Sequence, residues 1–478
     1  MLPPSSDPDS FAAEAFPDLD LGDERLLRRL GLVAAACLRH PEKALPDKFH
    51  DPAAYLAALD LLNHEAVTHE KLIDCHRVAA LDRLEHAGPP AALILHDFTD
   101  LDFSGHVTLR DDLGQIGNGG GRGYMALNSL AIDPDTREIL GLVGQILHAR
   151  PAVDKKEGTA ARRGRASRES RLWLRAAGDV GPAPAGKTWA HVADRGADSF
   201  ELLQALADRR LSFVLRSCQS RGCEAGAEAG LEAEAGPGPG PAPGLLHDLA
   251  RALPARAGWV MEVRESAKRG GRWAAMKAAA APVRVRPPGV RSGEFRREAV
   301  GLWVVRVWEE GGPAGEEPLE WILLTDQDVS RAEDLRRVAG WYECRVVVEE
   351  FHKAQKTGVG IERLQLQDAE SLRAAIALLS VVAAALVNLR AAARDEAKAG
   401  LPAARLVPAA WVRVLSVWRH GEARGLTAAE FTLALARLGG HLNRKCDGPP
   451  GWITLWRGWE RLHTMLEYES SRARCGEL

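Results

Sequence analysis

The chain has 478 residues, of which 46% are hydrophobic and 27% charged, with a formal net charge of −3. That length exceeds one simple core and predicts two to four domains of ordinary globular composition. Overall charge excludes a uniformly basic nucleic-acid binder, since the first hundred residues hold 18 acids against 9 bases. Local charge differs: residues 150–175 hold nine Lys or Arg against three acids, and 261–300 hold ten against four. Such clusters can neutralise phosphates, although a solvated face has the same composition. The seven cysteines include no CxxC pair, the closest two being Cys218 and Cys223. Neither a zinc module nor a disulfide scaffold is expected, and a reducing, cytoplasmic compartment fits. The first thirty residues are acidic and broken by prolines, so no signal peptide is expected there.

In chain order, the opening segment to about Gly88 reads as helical. Leu26, Leu30, Val33 and Cys37 recur at helical spacing, Asp23 can cap the start, and Arg25, Arg28 and Arg29 lie beside it. Two more helices are expected at 52–62 and 66–86. Three short helices suit a small DNA-reading unit or a purely structural bundle. From Ala91 the texture changes to short apolar runs. Residues 91–96 form a strand expected to stop at Asp97, and 98–107 a second strand. A glycine-rich loop follows at 117–123, and strands 124–132 and 139–148 pair across the turn at Asp133. A basic helix is expected at 165–177, a strand at 188–193 ending at Asp194, a helix at 199–209 and a strand at 211–216.

Residues 218–244 are low-complexity Ala, Glu, Gly and Pro, expected to form an exposed linker. Strands follow at 259–263, 283–286, 301–308 and 320–325. Helices are expected at 330–338, as one long element at 341–356, and over 369–392. The run 374–387 is apolar but only fourteen residues long, with Arg373 and Arg390 flanking it. A membrane span needs about 20 apolar residues, so a buried helix is expected. The tail from Pro402 reads as helical, with Trp411, Trp418, Trp452, Trp456 and Trp459 offering large apolar area.

Two features carry possible chemistry. Asp97 and Asp194 each end a predicted strand, where a carboxylate can present oxygen to a divalent cation; a turn or cap role is the alternative. In 341–356, Tyr342, Arg345, Glu349, His352, Lys353 and Lys356 share one face of a continuous helix. Glu349 would then be one acid within a stripe of phosphate-seeking donors, or a member of i,i+4 ion pairs on an exposed helix.

The spacing Tyr342-x2-Arg345-x3-Glu349-x6-Lys356 resembles the Tyr-Arg-Glu-Lys signature of DDE transposases from insertion-sequence family four, the Tn-five type among them. The string from Glu349 to Gly358, Glu-Glu-Phe-His-Lys-Ala-Gln-Lys-Thr-Gly, is similar in the same way. Asp97-Phe-Thr resembles the family's first aspartate motif, Arg122-Gly123 its Arg-Gly pair, and Asp194-Arg-Gly-Ala-Asp198 its second aspartate motif. Phe213 to Ser217, Trp321 to Thr325, Ala436 to Gly440, Trp456-x-Gly-Trp459 and Leu21 to Arg25 follow in the same order. The run Val346-Val347-Val348 departs from a more polar stretch in the family, and the insert after Arg216 has no counterpart.

The resemblance implies an α/β fold. An RNase H-like mixed sheet with helices would occupy 76–392, interrupted by a β-rich insertion at about 217–318. A helical DNA-binding domain at 1–75 and a helical dimerisation domain at 393–478 would flank it. It further implies that Asp97, Asp194 and Glu349 bind two Mg2+ ions, with Mn2+ able to substitute, for nicking, hairpin formation and strand transfer. Tyr342, Arg345, His352, Lys353, Lys356, Arg216 and Arg122 would contact DNA, Trp321 would stack on a flipped base, and Arg25 and Arg28 would serve end binding. Partners would be double-stranded DNA at transposon ends, target DNA and a second copy in a homodimer, with no membrane and a nucleoid-associated location. The alternatives are a catalytically inactive DNA-binding inhibitor or domesticated relative, and a plain metal nuclease.

Overall fold

Short polar caps start the first helices. Asp7, Asp23, Asp51 and Thr68 each accept a backbone N–H at the head of α1 (Pro8–Ala15), α2 (Glu24–Arg39), α3 (Pro52–Leu62) and α4 (His69–Ala87). These bonds satisfy donors that a helix start leaves open. In α2 the stripe Leu26, Leu30, Val33 and Cys37 is buried, while Arg25 and Arg28 face solvent. The computed structural model describes residues 7–49, 51–151, 168–225, 244–263, 270–289, 296–313, 315–394, 399–444 and 450–474. Most of the basic stretch at 150–175, part of that at 261–300, and 226–243 of the low-complexity segment lie outside the described residues.

One expected strand break does not occur. Strand β1 (Ala91–Asp102) runs unbroken through Asp97 for twelve residues, with Phe98 and Thr99, both favourable to extended backbone, directly after the aspartate. After β2 (Gly114–Gln115), strands β3 (Arg122–Ile132) and β4 (Ile139–His148) pair antiparallel, from Met125↔His148 to Ile132↔Ile139. The Asp133 carboxylate accepts the N–H of Asp135 and Thr136 and so shapes the turn between them. The chain continues as α5 (Glu169–Val180), β5 (Thr188–Ala193), α6 (Phe200–Asp208), β6 (Phe213–Arg216), β7 (Gly222–Ala225), β8 (Gly244–Leu245) and α7 (Leu246–Ala252). Strands β9 (Ala257–Val263), β10 (Arg272–Val285), β11 (Val300–Glu309) and β12 (Glu320–Thr325) complete the β elements. β10 spans fourteen residues where only 283–286 were expected. Its alanines are weak strand formers, and pairing with β9 and β11 on either side overrides that preference.

The second correction concerns the long helix expected at 341–356. It is two helices, α8 (Ala332–Glu343) and α9 (Val346–Lys353), followed by a π turn at Ala354–Gly358. Cys344 closes α8, its N–H reaching Gly340 O, and Arg345 N–H bonds back to Tyr342 O. Three consecutive valines, stiff at χ1, then begin the new helix. α10 (Ala369–Arg394), α11 (Ala409–His420), α12 (Ala428–Leu438) and α13 (Trp452–Arg474) close the chain.

The elements form a mixed α/β arrangement of two compact units. One unit comprises Met1–Pro89, Phe98–Ala152 and Val347–Leu478. Its core lies among the β3–β4 hairpin, α4 and α10, where Leu127, Leu130, Leu142, Ile376 and Val382 are fully buried. Within Ala369–Asn388 an 18-residue window is 89% buried inside the protein, as expected of a core helix. Of the tail tryptophans, Trp411, Trp456 and Trp459 are buried in this unit, Trp456 donating to Leu386 O and Trp459 to Leu38 O at the end of α2, whereas Trp418, expected to be buried with them, is exposed. α12 and α13 approach closely at two glycines. A Cβ on Gly439 would lie 1.7 Å from Thr454 O, and one on Gly458 1.9 Å from Leu435 O.

The other unit comprises Pro90–Asp97 and Val153–Val346. Its large mixed sheet runs β1-β5-β6-β12-β11-β10-β7-β8, with β9 on β10. β1, β5 and β6 are parallel, and from β6 through β12, β11 and β10 the pairing is antiparallel. The strands between 217 and 318 therefore extend the same sheet, joined to it through β11 and β12.

Candidate active site and DNA interface

Parallel pairing of β1 and β5 places two expected acids side by side. The register runs from Ala91↔Thr188 to His96↔Ala193, and Asp97 and Asp194 are the residues that directly follow this last pair. Alternation along a strand puts them on the same sheet face as Leu93, Leu95, Ala190 and Val192, at the end of the pairing. Asp97 is half-buried, and its Oδ2 lies 2.7 Å from Arg345 Nη1. That ion pair diverts Arg345 at the point where α8 ends. Asp194 caps the short turn Arg195–Ala197, its Oδ1 accepting Gly196 N–H at 2.8 Å. Neither aspartate is an idle surface residue.

Behind them two histidines stack. His96 Nε2 and His191 Nδ1 are 2.8 Å apart, the rings parallel within 1°, and both residues are buried. Burial pushes His191 down to about 4 and His96 well below the usual histidine range, with the neighbouring ring adding to the second shift. Both rings are therefore neutral at ordinary pH, and one donates to the other. Apart from two polar residues in apolar strands, nothing in the sequence marked this pair.

The residue trailing the second aspartate motif has a structural role. Asp198 is 4% exposed and accepts from Cys218 N, Gln219 N and Ser217 Oγ at 2.7, 2.9 and 3.2 Å, while Arg221 pairs with it. It thereby fixes the loop that follows Arg216. Arg216 ends β6 opposite Leu323 and donates through Nη2 to Glu320 O at 3.1 Å. Nearby on β12, the Trp321 ring meets the edge of Tyr342 with centroids 5.2 Å apart. Tyr342 is buried at the end of α8, and Trp321 is half-exposed. Arg216, Trp321, Tyr342, Arg345, Asp97 and Asp194 thus all belong to the sheet-bearing unit.

Glu349 belongs to the other unit. It is exposed on α9, whose Val347, Val348 and Phe351 are buried. His352, expected on the charged face, is instead buried beside Phe351, while Lys353 is exposed. Lys356 leaves the π turn with its ammonium 3.7 Å from Glu362 Oε1. The single stripe expected from Tyr342 to Lys356 is thus divided, since Tyr342 and Glu349 lie on different helices. Arg122 opens β3, its carbonyl accepting Phe103 N–H at 2.8 Å. Gly123 follows where a Cβ would lie 1.9 Å from Leu101 O, a close approach that accounts physically for an Arg-Gly pair. Among the described residues no three His, Cys, Asp or Glu side chains gather as a metal ion would require.

One comparison bears on the first helices. Residues 8–67 match a family model described as Transposase DNA-binding. The match covers α1, α2 and α3, including exposed Arg25 and Arg28, and supports a transposase with DNA as its partner.

Proposed function

We propose that the chain is a DDE-type cut-and-paste transposase, akin to those of insertion-sequence family four. Helices α1 to α3 would read the ends of a mobile element, and Asp97, Asp194 and Glu349 would form its active site. The single observation that carries the transposase reading is the family match over residues 8–67. Asp97 and Asp194, each directly following the last pair of parallel strands, support the enzymatic part, because carboxylates with hard oxygens suit a divalent cation. The Arg345 guanidinium on Asp97 supports it further, as positive charge already sits where a cation would.

Two Mg2+ ions, when bound by these carboxylates, would activate a water or DNA 3′-hydroxyl and stabilise the departing 3′-oxygen. The remaining roles fall to the chain's own side chains. Arg345, freed from Asp97, would turn its fork to the adjacent phosphate. Lys353 and Lys356 would hold neighbouring phosphates, and Arg216 the distorted backbone beside them. The half-exposed face of Trp321, backed by Tyr342, would receive a base unstacked during hairpin formation.

The test is to incubate the protein with Mg2+ and linear DNA carrying the element's own ends. Hairpin and strand-transfer products are expected. Shifted but uncut DNA would identify an inactive end-binding relative, and nicks without joining a plain nuclease.

A further inference from the structure

Five buried polar side chains in the unit holding Glu349 have no part in the roles assigned above. Asn128 and Gln145 project from β3 and β4, Gln355 from the π turn, Ser380 from α10 and His69 from the start of α4, all buried. They satisfy one another. Gln145 Nε2 donates to Asn128 Oδ1 at 2.7 Å and to Ser380 Oγ at 2.9 Å. Gln355 Nε2 donates to Ser380 Oγ at 2.8 Å, and Asn128 Nδ2 donates to Gln355 Oε1 at 3.1 Å. His69 Nε2 meets Gln145 Oε1 at 3.1 Å. Five elements thus share one connected set of bonds, and a buried amide deprived of such partners is strongly disfavoured.

Gln355 reaches this ring from an unusual backbone. The turn Ala354–Gly358 is π-helical, closed by Val359 N–H on Ala354 O at 2.9 Å. A π turn holds one residue more than an α turn, which rotates the residues beyond it by about 100° relative to a continued α-helix. The residue after Gln355 is Lys356. Its ammonium lies near Glu362 Oε1, the same oxygen that accepts Asp102 N–H at 3.0 Å. Lys356 also contributes, after the two hydrogen bonds from Ser104, to holding the Asp102 carboxyl below the usual range. On its other side the turn is closed by Trp456, whose ring would meet a Cβ on Gly358 at 2.1 Å.

We propose that Gln355 is a positioning residue: anchored to Asn128 and Ser380, it fixes the π turn and so sets the direction in which Lys356 leaves the helix carrying Glu349. The inference rests on the reading of Glu349 and Lys356 as active-site groups. Its structural half can be tested without DNA. Zero-length carbodiimide coupling of the full chain, read by mass spectrometry, should yield a Lys356–Glu362 amide, because the ammonium and carboxylate are in contact. Gln355→Leu, shown folded by circular dichroism, should lower that yield by about tenfold, as should the milder Ser380→Ala, which removes an acceptor shared by two amides. With end DNA and Mg2+, both variants should lower kcat by about tenfold and leave KM unchanged, a split that general loosening of the fold would not produce. An unchanged coupling yield in folded Gln355→Leu overturns the proposal; if that variant does not fold, an unchanged yield in Ser380→Ala overturns it. Loss of coupling in the variants supports the positioning role even if the wild-type protein cuts no DNA, a result that would sink the transposase reading alone.

Discussion

The two segments that carry the expected acids behave differently. The β1–β5 pairing ends immediately before both Asp97 and Asp194, while the segment 341–356, expected as one continuous helix, breaks at Cys344 and Arg345. Parallel strands share a register fixed by many backbone bonds, so a residue just past their pairing has little freedom of position. A helix face inferred from spacing assumes unbroken helix, and that assumption fails where local stiffness and a long-range ion pair act together. Arg345 is the point of failure: it bonds back to Tyr342 while its side chain goes to Asp97.

The largest effect that could break this comparison comes from the acids themselves. Asp97→Asn, Asp194→Asn and Glu349→Gln should each cut cleavage of end DNA by at least about a thousandfold, with end binding within about twofold in a gel-shift assay. A Glu349→Gln enzyme that still cuts would leave the strand pair functional and the helix incidental. Next comes packing around the helix-bearing unit. Gly458→Ala should destabilise it by about 3 kcal/mol, because a Cβ 1.9 Å from Leu435 O must push two backbones apart; chemical denaturation measures this, and an unchanged midpoint would argue against the close approach. Trp321→Ala should slow the hairpin step by about thirtyfold while sparing the first nick, the stacking of one base being worth about 2 kcal/mol. Quenched-flow analysis separates the two steps, and equal slowing would remove base stacking from the account. The smallest effect is expected at the junction. Arg345→Ala frees Asp97 from its half-buried partner and should tighten Mn2+ binding without DNA by about fivefold, measurable by calorimetry.

Much of the fold was legible because it depends on local signals. The cap at Asp23, the turn at Asp133 and the strands 188–193 and 320–325 stand where the sequence pattern placed them. What escaped was set by neighbours distant in sequence. β10 is strand because β9 and β11 hold its alanines, and β1 continues past Asp97 although its second half carries three aspartates. At the site, the strand end expected at Asp97 does not occur, and only the one at Asp194 was legible. The His96–His191 stack, the anchoring of a loop by Asp198 and the polar ring around Gln355 were not, because each needs partners that no spacing brings together.

The central claim is that carboxylates from both segments serve the same cations, and Mn2+ binding followed by electron paramagnetic resonance tests it most directly. The complex of wild-type protein with end DNA should bind two Mn2+ per chain, and Glu349→Gln should lose binding just as Asp97→Asn does. Full Mn2+ binding by Glu349→Gln in that complex would contradict the account.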